Sequence, residues 1–213
     1  MKLATILLVG ITLLASAVTL NAAPPAGAAQ SFIAFTGGSV WTSGSTGTCI
    51  WYFPVLADLD LKSLFATDAT GNPVLDKEHA YLIWVSDWSI AAMFGNSGFG
   101  GSSIGLAVVP AGTATIYYTN NPTRRDFSDV SKRGTWGIPV ATFTRGAGLF
   151  QSPDNFQLTD KFYFSAPLLA AKDFNLGGRV FNFSILMPHG MTCFEYGQGY
   201  STTETGSCIA MGN

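Results

Sequence analysis

Short apolar stretches punctuated by turn residues predict an all-β chain: a single antiparallel domain, a closed or partly open β-barrel in preference to a β-sandwich, with little helix. Three observations carry this expectation. Nine stretches read as strands. Gly, Pro, Asn and Asp separate them, as in Pro110-Ala-Gly112, Asn120-Asn-Pro122, Gly146-Ala-Gly148 and Leu176-Gly-Gly178. Charged residues are only 11% of the chain, so Gly, Ser, Thr and Asn supply the polarity.

The chain opens on a secretory signal, assigned to residues 1–23. Lys2 supplies a minimal positive charge, Leu3 to Leu14 is an apolar run, and small residues follow as a signal peptidase requires. The favoured cut is at Ala22–Ala23. An uncleaved anchor is the rival, but Leu3 to Leu20 is at the short limit for a bilayer span and contains Thr5, Gly10, Thr12, Ser16 and Thr19. Residues 24–30, with Pro24-Pro25, read as a flexible lead-in, and 31–213 as one β domain without a membrane span. The destination is secreted or periplasmic.

The predicted strands are Phe32–Phe35, Cys49–Leu56, Ala80–Trp88, Ile104–Val109, Thr113–Thr119, Pro139–Thr144, Lys161–Ala166, Arg179–Leu186 and Thr192–Tyr196. Leu59–Phe65, Ser89–Phe94 and Leu168–Lys172 read as short helical pieces, and Gly95–Ser103 as a mobile loop. In Ala80–Trp88 both faces are apolar for most of their length. A strand wetted on one face alternates more cleanly, so a second sheet, a loop or an oligomer contact covers its outer side.

With Lys2 removed, ten basic and thirteen acidic side chains give a net charge of about −3, which is no footprint for nucleic acid. Export makes a disulfide the natural state of paired cysteines. Cys193 and Cys208 flank the Gly/Ser/Thr-rich stretch Gly197–Gly206, which folds back as a hairpin or loop, and they are the expected pair. Cys49 sits in an apolar run and reads as a buried free thiol.

Few groups suggest chemistry. His189 follows a predicted strand, and with Glu195 as its partner it would make a general base; a loop histidine beside a structural disulfide is the bland reading. Two histidines do not make a zinc site, and no metal or other cofactor is expected. Gly101-Ser-Ser103-Ile-Gly105 matches a nucleophile elbow, but a loop precedes it and a strand follows, the wrong context. Asp58, Asp60, Asp68, Asp76 and Glu78 lack the calcium-loop spacing. Residues 124–133 hold Arg124, Arg125, Lys132 and Arg133, either gripping an anionic group or pairing internally with Asp126 and Asp129. Asn182-Phe-Ser184 forms a glycosylation sequon inside a predicted strand.

Aromatic residues are abundant and serve either as core or as the lining of a pocket. The expected function is non-catalytic: an exported protein that binds a small apolar molecule or a sugar, or acts as a surface-interaction module. Trp84, Trp88, Tyr117, Arg124 and Arg125 are the ligand-binding residues it proposes. The alternatives are a barrel-mouth isomerase, cyclase or hydrolase using His189 and Glu195, and a structural envelope or extracellular component.

Overall fold

The structure is a computed structural model that describes residues 32–43, 45–97, 103–152, 160–197 and 203–211. Residues 1–31, on which the expected signal and lead-in fall, and the centre of Gly95–Ser103 lie outside the described residues. The domain consists of β1 (Phe32–Ser43), β2 (Thr46–Leu56), α1 (Leu61–Leu64), β3 (Leu82–Ser89), β4 (Ala92–Ser97), β5 (Ser103–Val109) and β6 (Gly112–Tyr118). After two 3₁₀ segments, Pro122–Arg124 and Val130–Thr135, come β7 (Ile138–Arg145), β8 (Gly148–Ser152), β9 (Asp160–Ala166) and β10 (Leu168–Ala171). Then follow β11 (Phe174–Leu176), β12 (Arg179–Phe181), α2 (Phe183–Leu186), β13 (Met191–Gly197) and β14 (Glu204–Ala210).

Twelve of these strands form one antiparallel sheet in the order β10-β7-β6-β3-β2-β1-β14-β13-β9-β8-β5-β4. The sheet curls into a half-barrel, and β11 and β12 make a separate ribbon. The register explains how its flanks join. β3 pairs with β6 through Ser86↔Ala114, and β4 with β5 through Ala92↔Val108, on one continuous register. The same holds for Gly112↔Arg145 and Val109↔Gly148. So β3–β4, β5–β6 and β7–β8 each behave as one strand with a bend. β9 and β10 are separated only by Pro167. Between Leu149↔Tyr163 and Leu168↔Phe143, Gly146 N donates to Ser165 O at 2.7 Å and Thr144 N to Pro167 O at 2.9 Å. β14 returns to β1 through Phe32↔Ile209 to Gly37↔Glu204. The chain thus makes eight successive antiparallel passes around a common interior. Eight strands enclose just enough space for side chains or one small ligand.

The interior is packed with rings. Trp51 stacks on Phe35 at 4.3 Å and on Trp84 at 6.2 Å, and Trp84 reaches Phe143 at 5.2 Å and Phe164 at 6.3 Å. The long connections between β2 and β3, β6 and β7, and β10 and β13 share one end of the barrel. Their segments also cover the outer side of β3, where Ile83 and Val85 are buried. Trp136 packs edge-on against Tyr117, and Arg125 binds the backbone of Ala80 and Tyr81. A loop is therefore the second cover of this strand.

Three local expectations are corrected. Arg179–Leu186 is not a single strand: β12 stops at Phe181, and Asn182 caps α2 by accepting from Ser184 N at 2.8 Å. A short polar side chain at that position starts a helix, and the turn buries Phe183 and Met187. Ser89–Phe94 closes β3 and opens β4, and Leu168–Ala171 is β10. In both, ladder pairing with a neighbouring strand overrides weak local preference. β13 and β14, at the two ends of the Gly197–Gly206 stretch, pair antiparallel from Met191↔Ala210 to Gly197↔Glu204.

Candidate ligand-binding site

Cys193 and Cys208 face each other across β13 and β14, with Cα atoms 4.1 Å apart and sulfurs bonded at 2.05 Å. A bond of this kind points to an oxidising environment. Cys49 is the free, buried thiol.

Inward-pointing residues of several strands bring polar groups into the otherwise aromatic interior. β1 contributes Ser39, β2 Cys49 and Trp51, β3 Ser86, β7 Arg145, β13 Glu195 and β14 Glu204, all buried. Ser39 Oγ donates to Glu204 at 2.6 Å, and the Trp51 indole donates to the other oxygen of Glu204. Cys49 Sγ lies 3.1 Å from Ser39 Oγ. Because the Ser39 proton is committed to Glu204, the thiol is the donor in that contact. Burial, with the carboxyls of Glu204 and Glu195, pushes the Cys49 thiol well above its ordinary value, so it stays neutral and unreactive. Arg145 Nε donates to Ser86 Oγ at 3.1 Å, and its terminal nitrogens to Gly146 O and Pro110 O at 3.2 and 2.9 Å. Burial pulls its pKa below the usual guanidinium range.

Cys49, Trp51, Ser86, Trp88, Val109, Arg145, Phe150, Phe162 and Glu195 enclose a chamber of about 10 Å³, at the lower limit for a single water. Outside it lies a groove of about 370 Å³. Its rim carries Thr42, Thr46, Thr48, Asp87, Ser89 and Arg133. Trp88 and Arg145 line both spaces and form the wall between them. Two glycines make room for that wall. A Cβ on Gly47 would stand 2.5 Å from the Trp88 ring, and one on Gly112 would stand 2.9 Å from Arg145 Nη2. Trp41 packs edge-on to Trp88 at 4.5 Å. The Trp88 indole nitrogen is buried and has no hydrogen-bond partner among the described residues.

The rim is held by a charged clamp. Arg133 binds both oxygens of Asp87, and Thr48 donates to Asp87 at 2.7 Å. Burial alone would raise the Asp87 pKa, but these bonds outweigh it and hold the carboxyl below its ordinary range.

The residues singled out from sequence are dispersed. Trp88 and Glu195 meet at the chamber. Trp84 is sealed inside the barrel. Tyr117 is half-buried against Trp136 on the outer side. Arg124 is exposed in the first 3₁₀ segment. Arg125 is buried and donates to Trp136 O, Ala80 O, Tyr81 O and Tyr117 O, and burial lowers its pKa to about 10. His189 lies exposed in the turn before β13, whereas Glu195 is in the interior, four residues beyond Met191 along an extended strand, about 13 Å. The two are not brought together. Among the described residues no cluster of His, Cys, Asp and Glu could hold a metal, and no helix is long and apolar enough to cross a membrane.

Sequence reasoning missed Arg145, Ser39 and Glu204. Arg145 falls one residue past the predicted end of its strand. Ser39 lies four residues past the predicted end of Phe32–Phe35. Glu204 lies in a Gly/Ser/Thr stretch with no strand pattern. Alternation through Gly37-Gly-Ser39 and Cys49-Ile-Trp51 is the signal that would have turned Ser39 and Cys49 inward. No family model, no curated protein and no solved structure matches this chain.

Proposed function

We propose that this is an exported, non-catalytic binding protein, secreted or periplasmic, that holds a small neutral molecule in the groove over Trp88. The observation that carries this reading is the wall itself: a buried indole whose N–H has no partner among the described residues, shared between an open groove and a small inner chamber. Ligand sites combine an apolar or aromatic surface with a few convergent polar groups. Here Trp88, Pro110 and Val130 offer the surface, and the threonines, Ser89, Asp87 and Arg133 offer the rim. A sugar-like ring, with one apolar face and polar edges, fits that mixture better than a wholly apolar ligand does. The ring-filled barrel interior favours the groove over the barrel centre.

The test is a tryptophan-fluorescence titration against a panel of neutral monosaccharides and aryl glycosides. At least one member should shift or quench the emission, and Trp88→Phe should weaken that response at least tenfold. Silence from the whole panel, or a response untouched by Trp88→Phe, overturns the reading.

A further inference from the structure

We infer that a second pocket, at the end of the barrel where the long connections gather, binds a sugar acid: a small hydroxylated molecule carrying one carboxylate. This goes beyond the groove reading and uses none of the groove's residues. Tyr81 of the pocket, at the entry to β3, stands seven residues before Trp88, about 23 Å of extended chain. Each long connection supplies one wall. The β2–β3 connection gives Lys62 and Tyr81, the end of β6 and the residues after it give Tyr118 and Asn120, and β11 gives Asn175 and Leu176. The turn Gly177-Gly178 completes the lining. Both glycines have left-handed φ, +57° and +76°, as a two-residue hairpin turn between β11 and β12 requires. A Cβ on Gly177 would stand 2.5 Å from Ser63 Oγ, so the turn is seated directly on α1. The space is about 300 Å³, at the lower end for ligand pockets and suited to one ring rather than a chain.

Three features select the ligand. The first is charge. Lys62 is the one Lys, Arg, Asp or Glu in the lining, and no ion pair engages it among the described residues. The charges nearest in sequence are occupied: Arg179 binds Asp58 at 3.2 Å, and Asp60 accepts from Ser63 N at 2.8 Å. One ammonium matches one carboxylate, repels a cation and leaves a dianion half-neutralised. The second is hydrogen-bonding capacity. The side chains of Asn120 and Asn175 and the hydroxyls of Tyr81 and Tyr118 bond to no described residue, whereas Asn72, Asn121 and Asn182 are all engaged locally. Amides and phenols both donate and accept, which is the match for several hydroxyls. Burial, with Tyr81 beside it, raises the Tyr118 pKa, so that phenol keeps its proton. The third is ring surface. Tyr118 packs on Phe174 at 5.3 Å, and Leu176 is buried, which gives a ring face a place to rest. A neutral sugar leaves Lys62 unmet, and a simple carboxylate leaves the amides and phenols unmet.

The experiment uses the intact domain labelled with nitrogen-15. Glucuronate, glucose and acetate are titrated separately at constant ionic strength, following the backbone amides of Gly177 and Gly178 and the side-chain amides of Asn120 and Asn175. Glucuronate should shift these signals saturably. Glucose and acetate, each holding half of the recognised chemistry, should bind several-fold more weakly. Lys62 is exposed, so Lys62→Gln leaves the fold intact. It should weaken glucuronate about tenfold, the loss of one charge-assisted hydrogen bond, and leave the glucose response unchanged. The absence of a saturable glucuronate shift, or one that Lys62→Gln does not weaken, overturns the pocket. An equal response to glucose overturns the carboxylate, and an equal response to acetate overturns the sugar. Glucuronate shifts confined to the groove amides of Thr46, Thr48 and Ser89 overturn the pocket and leave the groove reading standing.

Discussion

Arg125 and Cys49 are both buried, and burial gives them opposite fates. The Arg125 guanidinium is held by backbone carbonyls from three segments, the start of β3, the end of β6 and Trp136. Removing it strands those oxygens inside the protein. Arg125→Ala should cost on the order of 3 kcal/mol, seen as a fall of roughly 6–12 °C in melting temperature, with no loss of ligand response. Cys49 has a neutral thiol donating into the Ser39–Glu204 pair. Intact-mass alkylation without reductant should label no cysteine in the folded protein and one after denaturation. Labelling of the native thiol, or of three after denaturation, would contradict the arrangement. The Arg133 and Thr48 bonds to Asp87 give its carboxyl a pH response of definite sign. Its folded pKa lies below the ordinary carboxylate value near 3.9. Its pairing therefore contributes stability fully above about pH 4, and that contribution is lost as the pH falls through the lower folded value. Arg133→Ala should raise the Asp87 midpoint toward the ordinary value in a carbon-13 carboxyl titration; an unchanged midpoint would refute the clamp. The pair is partly exposed, so salt should weaken it.

The elements of the barrel depend on close backbone approaches as much as on apolar pattern. A Cβ on Gly206 would stand 2.2 Å from Phe194 O and 2.3 Å from the Phe35 ring. Gly206→Ala should destabilise β14 by about 1–3 kcal/mol, measured by denaturant unfolding. Gly47→Ala drives into Trp88 instead, so its effect should appear in the groove as an altered Trp88 indole signal. Reduction of Cys193–Cys208, which tie β13 to β14, should cost about 3 kcal/mol. Pattern made most of the strands legible because their inward residues are strongly apolar, as in Trp84 and Phe143. β4, β8 and β14 were hidden for the converse reason. They carry Gly, Ser or Thr among few apolar residues, and acquire strand geometry from their partners rather than from their own side chains. β12 and α2 were merged because Phe181, Phe183 and Ile185 mimic alternation, and the capping role of Asn182 decides the boundary.

At the scale of the molecule, the barrel follows from the passes being in order. Each strand pairs with the next, the bends at residues 90–91, 110–111, 146–147 and 167 carry the pairing round the curve, and β14 returns to β1. Alternating stretches and frequent turns announce such a chain, so the fold was readable. The site was less so, because it is assembled from single inward residues on different strands: Trp88 and Glu195 could be singled out, whereas Arg145, Ser39 and Glu204 acquire meaning only once the barrel brings them to a common interior. His189 and Glu195 sit in different settings, the one exposed in a turn and the other buried on β13, because closeness in sequence along a strand is distance in space. The central claim is that the groove over Trp88 holds a small molecule. It is tested most directly by native mass spectrometry of the protein purified from the cells or medium that produce it, beside a Trp88→Ala variant with an unchanged circular-dichroism spectrum. A reproducible small-molecule adduct on the wild-type chain, absent from the variant, is the predicted result. A bare wild-type chain, or an adduct that the variant keeps, would contradict it.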